Sequence, residues 1–484
     1  MSNEGEQNGE EKVSDSSPNK RMKEMAIDRL SALPDGILIH ILSFIGVKKS
    51  AVTSVLSKRW KFLWTELPEL KFHEISKVKV REFVAMVNRT LLIRSRTHLE
   101  TFNVFFRYDD SFASDVDSWL DFAVKNKAKE VYLYLNSDFL ENLYLLPEMM
   151  YSNSSLTCFS VRGCVMDTLT KIEWRSLTRL YIQDSRIPQR VIDNILSECP
   201  VLHTLDLEYC GGFNCLDIKS QNLYKLRVYF VDSEDDGPLL EISAPYVHDL
   251  DISFDPQTVK LVLKNIKSLV NAGINFNEYW TTEEIVITTT KELFEICKDV
   301  KELRLGRHYF KNKSLGRSVF RDWAVWNMEM NIERGTKIVL SELVVNGWQL
   351  PVSKRKCLIV HSFCEDEHNI SGIFALLKYS PNLESFTIES VALEGETWDE
   401  AAAIDLDCDL LHLKTVTISE FADPSFYGEP MLTVVRTLLK RATVLEKMTT
   451  RLGLGENEMK QNFEIAQTLL SYPRSSAKAV IRLF

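Results

Sequence analysis

Long apolar runs are missing from this 484-residue chain. None approaches the roughly 18 residues that a membrane-spanning helix requires, which argues against a membrane partner. An apolar leader is also missing, and the nine cysteines form an odd set with no CxxC pair and no regular framework. Together these absences lead us to expect reduced thiols in the cytoplasm, the nucleus or both. Basic charge is in deficit: 58 Lys and Arg stand against 68 Asp and Glu, a diffuse net charge of −10. Neutralising a phosphate backbone takes clustered cations, so nucleic acid is not an expected partner. No Walker-type loop, GxGxxG or GxSxG is present, and no cofactor is expected.

What the chain does have is concentrated near its start. Residues 1–26 are polar, rich in Glu, Ser and Asn, and are expected to form a disordered tail. Asp28–Leu70 then crowds apolar residues and two tryptophans into a unit too small to bury a core of its own, so a partner is expected to complete it. Pro34 suits the first position of a helix, and Ser31 or Asp35 could cap it. Ile37, Leu38, Ile41, Leu42 and Ile45 recur at helical spacing, and Gly46 supplies a left-handed stop. A second segment, expected to be capped by Ser50, carries Val52, Val55, Leu56, Leu63 and Trp64, with Trp60 between them. Lys48-Lys49 and Lys58-Arg59 read as solvated faces. On periodicity alone, an ordinary helical hairpin packed on its own protein remains open.

The residues LPDGILIHILSFI followed by TSVLSKRWKFLW resemble the plant F-box, the module that docks a Skp-type adaptor on a cullin ubiquitin ligase. The resemblance implies that Leu33, Pro34, Ile37, Ile41, Leu42, Val55, Leu56 and Trp60 face the adaptor or buttress that face. It places the module at residues 27–72. The run SAVTSVLS is one residue shorter than the usual family spacing. That departure favours the alternative, a non-enzymatic leucine-rich-repeat scaffold with a degenerate F-box.

Beyond the module, a degenerate LxxLxL pattern recurs. Leu99-x-x-Phe102-x-Val104 is an early copy, and Leu156-x-x-Phe159-x-Val161-x-x-Cys164 and Leu202-x-x-Leu205-x-Leu207-x-x-Cys210 are the fullest. Others start at Leu177, Leu223, Val247, Leu269, Val300, Leu340, Leu383 and Leu413, and the starts from Leu156 to Leu269 lie 21 to 25 residues apart. That spacing is similar to the leucine-rich repeat, whose units each supply a short strand and a return segment and must stack to bury their apolar sides. Residues 73–395 are therefore expected to be a parallel solenoid. Arg190–Cys199 and Ser371–Lys378 are expected return helices. Tyr181, Gln183, Asp206, Glu208, Arg227 and Tyr229 are expected on its sheet face, and Cys164 and Cys210 as buried structural thiols.

The end of the chain, LLHLKTVTISEF, then VLEKMT and LLSYPRSSAKAVI, resembles the FBD domain that ends many plant F-box proteins. It implies a strand–helix–strand–helix–strand cap over residues 396–484. The fold class expected is α/β: a helical F-box, a leucine-rich-repeat solenoid and a C-terminal α/β FBD cap. His361-x-x-Cys364-x-x-x-His368 has residue types that suit zinc but lacks a fourth ligand, and reads as an acidic surface loop. No catalytic or metal residue is therefore assigned. The resemblance implies a non-catalytic substrate-recognition subunit of a Skp–cullin–F-box ligase, whose partners are the adaptor, through it a cullin, and an unknown protein substrate. A small-molecule receptor is a third possibility, although no cluster of Arg or Lys marks a pocket for it.

Overall fold

Alternate residues of an extended segment point to opposite faces, so each LxxLxL stretch can bury its second and third apolar positions together only as a strand. The computed structural model describes residues 30–484 apart from 31–32, 75–78, 95–98, 137–141, 230–238, 255–258, 277–283, 307–339, 341–342, 345–346, 365–366, 393–407, 422–428 and 452–458. The expected 1–26 tail lies outside the described residues. In the rest, the repeat strands join into one 17-stranded sheet. Every pairing in it is parallel and in the same repeat register. Leu70 lies beside Phe102, Phe102 beside Val131, and so on through Leu180, Leu205, Leu226 and Leu250. Beyond Ala272, Leu303 and Leu358 the ladder ends at Met448 beside Ile481.

The second apolar row, two residues on in each strand, runs from Phe72 through Val104, Leu133 and Val161 to Ile418 and is equally buried. Return segments are helices in some units, among them Ala113–Lys125, Gln189–Glu198, Glu284–Ile296 and Glu367–Lys378. In the middle they are strands instead: Cys215–Asp217, Leu239–Ser243 and Lys260–Lys264 form a separate parallel sheet. One large apolar core runs between these layers from Leu38 to Ala479, with a small separate cluster at Leu343.

The N-terminal module is broken more finely than two segments. Its helices are α1 (Asp35–Ser43), α2 (Gly46–Val52) and α3 (Trp60–Leu63), with short 3₁₀ turns after α2 and α3. Pro34 is the residue before α1, with no side-chain cap beside it. Gly46 has φ +73°, the left-handed value its place after α1 requires. Ser50 is not a cap: it sits inside α2, fully buried, and its Oγ donates to the Leu42 carbonyl at 2.9 Å, fastening α2 to α1.

Two further expectations are corrected. The copy assigned at Leu340 is not a strand: Leu340 and Leu343 are helical, and Leu343 packs against Ile287 and Trp348. The strand of that unit comes later, at Cys357–Cys364, where the leading apolar position is filled by Arg355. His361 is consequently a buried strand residue and not part of a surface loop; the side chains of Cys364 and His368 lie outside the described residues. At the C-terminus the expected order appears as Thr415–Phe421, Glu429–Arg441, Lys447–Thr450, Met459–Ser471 and Val480–Leu483. Its strands extend the same parallel ladder, so from Thr415 onward this segment forms the last turns of the array.

Candidate functional site

Two surfaces carry the features a binding protein would use, and the module is the first. Its helices are apolar on nearly all sides, so packing decides what shows. Leu38 and Leu42 of α1, Val47 of α2 and Trp60 and Leu63 of α3 turn inward and join the core that Leu67 and Leu70 carry into the sheet. Trp60, 6% exposed, and Leu42, 1% exposed, lie beneath the surface and buttress it. Ile37 (48%), Ile41 (37%), Val55 (82%) and Leu56 (63%) stand in water, Pro34 is exposed, and Leu33 is half-buried against the core.

The sequence reading missed Phe44 at 75% exposure, Val52 and Phe62. Phe44 was within reach of the periodicity, since it follows Ile37 and Ile41 on one helical face. Arg59 is exposed, as expected, and is also tied down: its Nε donates to Asp35 Oδ1 at 2.7 Å and its guanidinium reaches the Leu33 carbonyl. The LPD and SKRW stretches, far apart in sequence, are thus one clip that closes the start of α1 on the start of α3. Ser57 Oγ accepts from the Trp60 backbone N–H at 3.5 Å at the entry to α3. Thr65 Oγ1 donates to the Phe62 carbonyl at 2.6 Å beyond its end.

The second surface is the polar face of the sheet. Its central position reads Asp206, Arg227, Asp251, Gly273 and Arg304 on successive strands. Arg227 Nη1 lies 3.4 Å from Asp206 Oδ2 and its Nε 3.3 Å from Asp251 Oδ2, while Lys225 Nζ lies 3.0 Å from Asp249 Oδ2. Arg304 Nη2 reaches Asp251 Oδ1 at 2.8 Å, across an intervening strand, and also binds Asp249. That reach is possible because the intervening residue is Gly273. A Cβ there would sit 1.9 Å from Asp251 Oδ1, so any other residue would displace the carboxylate.

Burial pushes the Asp251 carboxyl up, yet Arg304, Arg227 and Lys225 together outweigh it and hold the group below the usual carboxylate value. Asp206 has only Arg227 close by, and burial lifts it to about 7. Of the expected face residues, Tyr181, Gln183 and Arg227 are partly exposed. Asp206, Glu208 and Tyr229 are buried within the polar layer. At the strand entries His203, Tyr224 and His248 stack ring on ring, 5.3 Å and 5.0 Å apart, a polar aromatic ladder that no motif announces.

Cys164 and Cys210 are fully buried, and burial raises both thiols far from ionisation. Cys210 Sγ donates to the Ile182 carbonyl at 3.3 Å, a structural role. Among the described residues no group of three or more His, Cys, Asp or Glu could hold a metal ion, and no helix is long and apolar enough to cross a membrane.

Fold and module together define a class: a parallel-strand repeat solenoid headed by a small helical unit with an exposed apolar surface. Residues 30–72 match the F-box domain family and residues 91–313 match the family described as the At1g61320/AtMIF1 LRR domain. Over nearly its whole length the chain is similar to curated proteins of Arabidopsis thaliana. It is 26% identical to F-box/LRR-repeat protein At3g03360, over 94% of this chain and 90% of that protein. It is 25% identical to F-box/LRR-repeat protein 13, over 94% and 96% respectively. The chain carries an F-box domain followed by a leucine-rich-repeat domain.

Proposed function

We propose that this chain is the substrate-receptor subunit of a Skp–cullin–F-box ubiquitin ligase, non-catalytic itself, holding an unknown target protein near a ubiquitin thioester carried elsewhere in the complex. The observation that carries the reading is the F-box module with Ile37, Ile41, Phe44, Val55 and Leu56 left in water on a rigid base. Solvent-facing aliphatic and aromatic residues clustered in one small unit mark a surface meant for a partner. The fixed register of the sheet supports the rest: a rigid array sets the distance from adaptor to target, and tethering raises effective concentration only when the geometry spans the gap.

The FBD reading of residues 396–484 belongs to the same proposal. Its support is the LKTV, VLEKMT and LLSYPRSSAKAVI stretches and the strand–helix order from Thr415. Residence in the cytoplasm or nucleus is supported by the free thiols of the described cysteines.

The test is a pull-down of a purified Skp-type adaptor by the full chain and by an Ile37→Ala, Ile41→Ala, Val55→Ala, Leu56→Ala variant. Exposed truncations cost little stability, whereas anchor residues in an interface are worth roughly 2–4 kcal/mol each. We expect adaptor binding to be lost with an unchanged melting temperature. Full binding by the variant would reject this surface, and no binding by the unaltered chain would reject the function. A scaffold with a degenerate module is the second reading, favoured by the short run before VLSKRW.

A further inference from the structure

In the middle of the sheet the charges on the polar face are paired with one another; at its last two strands they are not. Met448 and Thr450 of the strand Lys447–Thr450 are buried, so alternation puts Lys447, Thr449 and Arg451 on the polar face. The Arg451 N–H donates to the Ile418 carbonyl at 3.1 Å, which carries the alternation one residue past that strand. On the final strand Ile481 and Leu483 pack against the core, leaving Val480, Arg482 and Phe484 on the polar face. Register sets Arg482 beside Thr449, between Lys447 and Arg451. All three cations are exposed, and among the described residues none has an ion-pair partner.

The excess of cations extends to the whole end of the array. Residues 429–484 hold nine Lys and Arg against five Glu, in a chain whose net charge is −10. Arg441 lies 3.7 Å from Asp409, and Arg436 sits over the Tyr472 ring, 5.2 Å from its centroid. Lys440 and Lys478 are exposed and have no ion-pair partner among the described residues. Against this set, the described side chains of 429–484 offer the exposed Glu446 at a strand entry, and the backbone adds the carboxyl group of Phe484. The balance is basic.

The final strand also has an open edge. Val480 N–H donates to the Glu446 carbonyl at 3.0 Å and Phe484 N–H to the Thr450 carbonyl at 3.1 Å. A parallel strand alternates inward and outward backbone groups, so Arg482 also turns inward while Ile481 and Leu483 present N–H and C=O outward. Arg474 Nη1 occupies the Ala479 carbonyl at 3.0 Å, so the open stretch begins at Ile481. Among the described residues nothing bonds to the outward groups of Ile481 and Leu483.

We propose that an extended acidic segment of a partner protein adds to this edge as a further strand, with Asp or Glu at alternate positions on the polar face. An added strand lies about 4.8 Å from its neighbour, which puts those carboxylates beside Arg482, with Lys447 and Arg451 one strand further on. Apolar residues between them cover the half-buried Ile481 and Leu483. Main-chain pairing supplies affinity and the cations supply preference. The open N–H and C=O groups favour a polypeptide over a nucleic acid, which has no strand backbone to pair with them. The site lies at the opposite end of the ladder from the F-box module and does not depend on an adaptor.

Fluorescence anisotropy with the full chain and a labelled synthetic peptide of alternating glutamate and valine tests the proposal. We expect binding that weakens as salt is added. A lysine–valine peptide, and the glutamate–valine peptide methylated at its backbone nitrogens, should each bind on the order of tenfold more weakly or not at all. The exposed-site variants Arg482→Glu and Lys447→Glu should weaken the glutamate peptide by a similar factor at an unchanged melting temperature. In hydrogen exchange, bound peptide should protect the Ile481 and Leu483 amides. No binding of the glutamate peptide overturns the proposal, as does equal binding of the lysine or methylated peptide, neither of which needs a variant to fold. Tighter binding of a single-stranded oligonucleotide than of the glutamate peptide overturns it as well.

Discussion

In the N-terminal module, Ile37, Ile41, Val55 and Leu56 face water while its one clip, Asp35 to Arg59, is closed upon itself. In the middle of the sheet the positions that face away from the apolar core are charged, but Asp249, Asp251, Arg227 and Arg304 are already committed to one another. The first surface is apolar and unsatisfied, the second polar and satisfied. An apolar surface gains free energy from any partner that removes it from water. A paired charge gains only if the newcomer replaces what it loses, so the sheet face favours selectivity over strength.

Trp60→Ala should produce the largest effect on this contrast. If the module shares its core with the sheet, truncating this buried indole lowers stability by about 3–5 kcal/mol. Calorimetry should then show the main transition moving down. A separate low-temperature transition, with the main one unmoved, would mean that the module is an independent flap.

Gly273→Ala probes the sheet side. Its methyl group meets a carboxylate that Arg304, Arg227 and Lys225 hold in place, and overpacking of this kind costs about 1–3 kcal/mol. Urea denaturation should show the loss, and an unchanged midpoint would mean that the network is slack.

The smallest effect concerns acid. Asp206 has a folded-state value near 7, above its ordinary 3.8, so its protonated form is favoured by folding. The stability it contributes is complete below pH 3.8 and disappears as pH rises through about 7. Asp206→Asn should therefore narrow the drop in melting temperature between pH 5 and pH 8, and an equal drop in both proteins would show that Arg227 fully neutralises the carboxylate.

Much of the solenoid was legible because its rule is local. The Leu-x-x-Leu-x-Leu spacing names the buried rows, and the strands at Leu99, Leu156, Leu177, Leu202, Leu223 and Leu413 fall where that spacing puts them. Units whose first position is not a large apolar residue escaped it: Ala128-x-x-Val131-x-Leu133 and Arg355-x-x-Leu358-x-Val360 are both strands of the ladder. At Leu340 the same letters sit on helical turns, since three-residue spacing also suits a helix.

The exposed apolar surface of the module was half legible. Ile37 and Leu38 are adjacent and equally apolar, so periodicity could not say which faced inward; Leu38 joins a core that continues through Leu67 into Leu70 of the first strand. The Gly273 gap was invisible because it depends on register between strands.

The strand Glu69–His73 begins where the module ends and is already the first rung of the ladder, paired with Thr101–Phe105. Among the described residues no unpaired linker stands between the module and that first rung, so whatever grips α1 to α3 takes hold of the sheet's first strand directly, as one takes a wrench by its handle.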